Sequence, residues 1–141
     1  MRWRLLDRLL ACEPGRSALG ETAFPPEAPF FAGPGGAPRV PGTLQIEMMA
    51  AAGGRALRLA APDRLPLLAA VKSAELHRPI APGERCTIRV EITQLHPERA
   101  AAAGVVEVAG ERAAEAVLLY TLVAGAPEAA RGGPPLTEPA P

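Results

Sequence analysis

Phe30-Phe31-Ala32-Gly33-Pro34-Gly35-Gly36-Ala37-Pro38-Arg39-Val40-Pro41-Gly42-Thr43-Leu44-Gln45-Ile46-Glu47 joins a Gly/Pro-rich loop directly to an apolar helix, with one acid expected in its first turns. A helix start exposes backbone N–H groups and the positive end of the helix dipole. Such a start suits a carbonyl or an anion. The loop side of the junction, from Phe24 to Pro41, is long for a compact domain, and loops of that length usually carry function.

The helix is predicted over Thr43–Ala60. Its middle is the small-residue run Ala50-Ala51-Ala52-Gly53-Gly54. Each glycine weakens an exposed helix by about 1 kcal/mol relative to alanine. Their presence therefore predicts a buried helix that another backbone approaches closely. On the N-terminal side, strands are predicted from Trp3 to Cys12, closed by Glu13-Pro14-Gly15, and from Ser17 to Phe24. After Pro62 the period turns from helical to alternating. A strand is predicted over Leu65–Arg78, ended by Pro79 and followed by the turn Ala81-Pro82-Gly83-Glu84. Cys86, Ile88, Val90 and Ile92 then alternate with polar neighbours, as a half-buried strand requires. Ala101–Ala109 and Glu111–Val123 read as a hairpin around Gly110. The last of these is apolar on both faces, which predicts a central strand packed on both sides. The sum is an α+β domain over residues 1–124: one long central helix wrapped by a mostly antiparallel sheet of about six strands. The Ala/Pro/Gly-rich tail from Gly125 to Pro141 is expected to be disordered.

Bulk composition narrows the function classes. The chain has 141 residues, 48% hydrophobic and 21% charged, which fits one globular domain. Its 15 basic and 15 acidic residues cancel, leaving no electrostatic footprint for nucleic acid or an anionic membrane. Cys12 and Cys86 have neither metal-ligand nor CxxC spacing and are expected as reduced thiols. No metal site is expected. No apolar run reaches the ~20 residues of a bilayer span, and charges fill the first residues where a signal peptide would be apolar. A cytoplasmic location is expected.

The quoted junction resembles beta-hydroxyacyl-acyl-carrier-protein dehydratases of the FabZ type, in the hotdog-fold superfamily. That family carries F-F-x-G-H-F-P-G-x-P-x-x-P-G-x-L-x-x-E before its central helix. Phe30, Phe31, Gly33, Gly36, Pro38, Pro41, Gly42, Leu44 and Glu47 match it. Asp7-Arg8-Leu9 matches a D-R-V near the family's start. Leu76-His77-Arg78-Pro79-Ile80-Ala81-Pro82-Gly83-Glu84 matches F-R-R-P-V-x-P-G-D after the helix. The resemblance implies a hotdog fold and the removal of water from a beta-hydroxyacyl thioester. It implies no cofactor beyond the substrate's own arm, a carrier-protein phosphopantetheine or coenzyme A. It implies Glu47 as the catalytic carboxylate that assists departure of the hydroxyl. Gly33, Gly35, Gly36, Pro41 and Gly42 would bind substrate, with the backbone N–H groups of the Gly-rich loop polarising the thioester carbonyl. Family members are dimers or assemblies of dimers with sites built from two chains, so a homodimer and an acyl carrier protein are the implied partners.

One family residue has no counterpart. The histidine that takes the alpha proton falls on Pro34 when the loop is aligned from Phe30-Phe31, and on Gly33 when aligned from Pro41-Gly42. The loop is one residue shorter than the family pattern. A positioned base contributes roughly 100- to 10,000-fold in rate, so dehydration by the usual route should be crippled. His77 and His96 map elsewhere and read as surface or structural groups. Three readings stay open: a dehydratase that has lost or relocated its base, a thioesterase using Glu47, and a non-catalytic subunit that pairs with an active homologue as a heterodimer. Glu47 also has a plain reading, since an acid near a helix start gains about 0.3–1 kcal/mol from the dipole. Met48-Met49 reads as core or dimer packing, Tyr120 as core, and Arg39 either as a solvated side chain or as one that alters the acyl tunnel.

Overall fold

The computed structural model describes residues 5–31 and 36–125. Six strands and one long helix follow in the order β1 (Arg8–Glu13), β2 (Ser17–Thr22), α1 (Gly42–Ala60), β3 (Arg64–Leu76), β4 (Cys86–Leu95), β5 (Arg99–Val108) and β6 (Glu111–Ala124). A single 3-10 turn, Pro29–Phe31, interrupts the loop before α1. The strands form one sheet in the order β1-β2-β4-β5-β6-β3. Every neighbouring pair is antiparallel. Helix α1 lies across one face and touches all six strands. This is the α+β arrangement the sequence predicts.

The strand boundaries follow side-chain chemistry. In β4, Cys86, Ile88 and Val90 are buried while Arg89 and Glu91 are exposed, which is the alternation of a strand with one face on the core. The β5–β6 hairpin turns on two residues, Ala109 at φ 53° and Gly110 at φ 81°. Both central residues of such a turn need positive φ, and glycine takes the second without strain. The first strand starts at Arg8 and not near Trp3; residues 1–4 lie outside the described residues, as do 126–141, where the disordered tail was expected.

Strand β6 is interior, as its composition predicts, but the expected packing on both sides is not found. Ala114, Ala116, Leu118, Tyr120 and Leu122 are buried beneath α1. Val117 and Leu119 on the other face stay half-buried, and no second layer covers them among the described residues. Met48 and Met49 are fully buried in the core, so the core reading of that pair holds. Gly104 in β5 makes room for Met49, whose Sδ lies 2.9 Å from where a Cβ would stand.

The two helix glycines differ. A Cβ on Gly53 would sit 2.6 Å from Tyr120 Oη and 3.2 Å from Val90 Cγ1, so what approaches this face is a pair of side chains and not another backbone. Tyr120 is 3% exposed and donates its hydroxyl to Ala50 O at 2.7 Å. Burial pushes its ionisation far upward, so it stays a neutral donor. Gly54 meets nothing closer than Pro66 Cγ at 3.9 Å. The cysteines are both free. Burial, reinforced by Glu84, pushes the Cys86 thiol up to about 12.

Candidate functional site

The start of α1 is fixed by the loop before it and the turn after β3. Phe24 is buried and meets Phe30 edge-on at 5.5 Å, and Phe30 meets Phe31 at 4.6 Å. This aromatic cluster pins the loop. Asp7 Oδ2 accepts the Ala23 N–H at 3.0 Å where the loop begins. At its far end Val40 N–H donates to Ile80 O at 2.8 Å, and Gly83 N–H donates to Phe24 O at 2.8 Å. The turn itself is clamped by Glu84, whose carboxylate accepts the Ala81 N–H at 2.8 Å and both contacts of Arg78 Nη2 at 2.9 Å. The Ala81 N–H first, then the Arg78 guanidinium, hold the Glu84 carboxyl below its usual value. The motif residues Asp7, Arg78 and Glu84 are therefore scaffold for the loop and helix start.

Pro41 is the N-cap residue, and it offers no side-chain cap. Its carbonyl accepts the N–H of Leu44 at 3.0 Å and of Gln45 at 3.4 Å. The N–H of Gly42 precedes these and keeps the exposed donor character of a helix start. Gly42 must lack a side chain, because a Cβ there would run into Leu76 Cδ1 at the end of β3. Beside it opens a cleft of about 250 Å³, whose border includes Arg39, Gly42, Gln45, Leu76, His77 and Arg78.

The placement of the sequence-derived residues is mixed. Gly42 borders the cleft, with Pro41 next to it as the cap. Gly36 sits exposed on the loop at φ 52°. Gly33 and Gly35, and with them Pro34, lie outside the described residues. Glu47 is a correction in one respect: the first turn of α1 holds no acid, and Glu47 falls in the second. It is exposed in the single chain. Arg39 borders the cleft.

Gln45 is the residue the sequence reading passed over. It is 2% exposed, on the inward face of α1 and at the cleft wall. Its Nε2 donates to Arg78 O at 3.4 Å, while its Oε1 has no hydrogen-bond partner among the described residues. The available signal was a polar amide between Leu44 and Ile46, at a helical position turned toward the core.

His77 has a partner on the other side of the sheet. Its Nε2 lies 2.8 Å from Glu115 Oε2 and 3.8 Å from Glu75 Oε1, and Arg112 reaches Glu115 at 3.3 Å. The His77 hydrogen bond lowers the Glu115 pKa. Strand alternation puts these side chains opposite Leu76, which faces α1. Glu75, His77 and Glu115 are close enough together to hold a metal ion, and His77 also borders the cleft at the helix start. His96 sits at the exposed β4–β5 connection, as predicted.

No family model matches the chain. Single relatives do. A 3-hydroxyacyl-(acyl-carrier-protein) dehydratase FabZ of Symbiobacterium thermophilum is 37% identical over 133 residues, covering 90% of this chain and 92% of its own. The dehydratase of the same name from Pelotomaculum thermopropionicum is 35% identical over 122 residues, covering 84% and 86%. Among solved structures, the dehydratase heterocomplex ApeI:P from Xenorhabdus doucetiae aligns with a TM-score of 0.68 at 19% identity, over 84% of this chain and 82% of that one. A hypothetical thioesterase with coenzyme A from Streptococcus pneumoniae aligns with a TM-score of 0.67 at 8% identity, over 83% and 85%. The fold is therefore the hotdog fold expected from the motifs.

Proposed function

Because the chain belongs to the 3-hydroxyacyl-(acyl-carrier-protein) dehydratase FabZ family, we propose that it binds acyl thioesters carried on the phosphopantetheine arm of an acyl carrier protein. The carrying observation is the uncapped start of α1 at Gly42, opening on a cleft one turn before Glu47. The Gly42 N–H polarises the thioester carbonyl, and Glu47 serves as the carboxylate that works on the 3-hydroxyl. Arg39 at the cleft places a positive charge at its mouth that suits an acidic carrier. Coenzyme A would present the same arm.

The site is completed by a second subunit in this reading. Strand β3 is a sheet edge of 13 residues, with Leu67, Leu68, Val71 and Leu76 each 40% or more exposed. A long apolar edge of this kind asks for a partner strand. Glu47 is exposed on the same single chain. The partner is a second copy or, as the absence of histidine between Phe30 and Glu47 favours, a homologue that brings its own base. Dehydration is then the activity of the pair, and the site belongs to fatty-acid or polyketide-like metabolism.

The test is an assay of 3-hydroxybutyryl-carrier-protein dehydration by enoyl absorbance, on the chain alone and mixed with an active homologue. Turnover by either preparation that falls with Glu47→Gln supports the reading. Release of free thiol in place of enoyl product, lost in the same variant, would establish the thioesterase alternative. Turnover indifferent to Glu47→Gln would sink both.

A further inference from the structure

Gln45 is buried to 2% exposure inside an otherwise apolar stretch of helix, yet its side-chain oxygen accepts nothing among the described residues. A buried acceptor without a donor is costly, and an apolar residue of the same size would avoid the cost. Its other end is tethered only by the long 3.4 Å bond from Nε2 to Arg78 O. The oxygen is itself buried, so a side-chain rotation that gives up this one long bond is what would bring it to the cleft that Gln45 borders.

The same cleft wall carries Gly42. Residues three apart on a helix lie on one face with about 5–6 Å between them. The wall thus offers a donor, the Gly42 N–H, and one turn later an acceptor, Gln45 Oε1. A secondary amide is the complement: its carbonyl accepts from Gly42 and its N–H donates to Gln45. A carboxylate or a phosphodiester has no proton for the second contact. A pantetheine arm holds two secondary amides.

We propose that Gln45 is a positioning residue that grips an amide of the arm carrying the thioester, through its Oε1. This rests on the thioester-binding reading above. It adds a specificity: affinity for the arm itself, independent of the acyl group and of Glu47.

The experiment uses the full chain with the 15N-labelled side-chain amide of Gln45 followed by NMR, and two ligands. S-butyl pantetheine holds both arm amides and no acyl hydroxyl. 4-(Ethylthio)butan-2-ol holds a hydroxyl and no amide. S-butyl pantetheine should shift the Gln45 amide signal, and Gln45→Met should bind it about tenfold more weakly, as expected for one lost hydrogen bond. The hydroxyl ligand should bind the variant as it binds the wild type. Affinity of Gln45→Met for S-butyl pantetheine within about twofold of wild type overturns the proposal. So does a Gln45 signal that moves only with the hydroxyl ligand. The NMR shift on unaltered protein decides the matter if the variant does not fold. A wild-type chain that binds neither ligand overturns the functional reading itself, and is distinct from a chain that binds without using Gln45.

Discussion

Around Gly53, helix α1 is matched to the sheet atom by atom: Tyr120 donates to Ala50 O, and the missing Cβ leaves the space that its ring needs. Around Gly42, Gln45 and Glu47 the same helix leaves an uncapped start, a buried oxygen without a donor, and an exposed carboxylate. The contrast separates two duties along one element. The Tyr120 contact holds the fold, and the groups left open at the helix start are where a ligand or a partner subunit is expected. Changes in the middle of α1 should move stability, and changes in its first two turns should move function.

Glu47→Gln offers the largest separation. Turnover of the competent assembly should fall about 100-fold or more, the usual loss for a positioned acid or base. The melting temperature of the chain should stay the same, since Glu47 is exposed. A large drop in melting temperature would erase the contrast. Gly53→Ala should do the reverse. Its Cβ would stand 2.6 Å from Tyr120 Oη. Overpacking and a disturbed hydrogen bond outweigh the gain in helix propensity, for a net loss of about 2 kcal/mol in urea unfolding.

Glu84→Gln probes the scaffold that joins the two regions. Losing the charged contacts to Arg78 and Ala81 should cost about 1 kcal/mol, toward the low end because the pair is partly solvated. The sign with pH follows from the lowered Glu84 pKa. Its contribution is complete above the ordinary glutamate value of 4.5 and disappears as pH falls through the lower folded value. Wild type and variant should therefore differ at pH 7 and converge in acid; unfolding curves at several pH values check this. Gly54→Ala is the smallest change and has the opposite sign to Gly53→Ala. With open space at 3.9 Å, it should stabilise the chain by about 0.5–1 kcal/mol. Adjacent glycines with opposite outcomes would tie the stability of α1 to the Tyr120 contact.

Most of the fold was legible because it rests on periodicity. The alternation from Cys86 to Ile92 and the Gly110 turn gave strand and hairpin directly, and the helix limits agree to one residue. The two glycines signalled close approach but not what approaches, since the tyrosine that meets Gly53 lies 67 residues later and nothing local links them. The outer face of β6 misled because apolar side chains there record only local hydropathy. The site was half legible. Gly42 and Glu47 follow from the loop-to-helix motif. Gln45 was hidden, because whether a polar side chain on an apolar helix finds a partner is a question of three-dimensional neighbours. Within the 76–84 motif, Arg78 and Glu84 hold the turn.

The sheet order has a consequence for how the chain is made. Among the described residues strand β3 pairs only with β6, and Arg64 lies opposite Ala124. On the ribosome, β3 emerges long before its sole neighbour. While β4, β5 and β6 are being synthesised, Leu67, Leu68 and Val71 wait without a hydrogen-bonded strand beside them. Non-local pairing of this kind is slow and leaves apolar segments exposed to aggregation. Between translation of residue 76 and residue 124, this apolar strand is thus made but not yet paired with β6. Another chain's β3 edge, if present then, competes with β6 for the same strand.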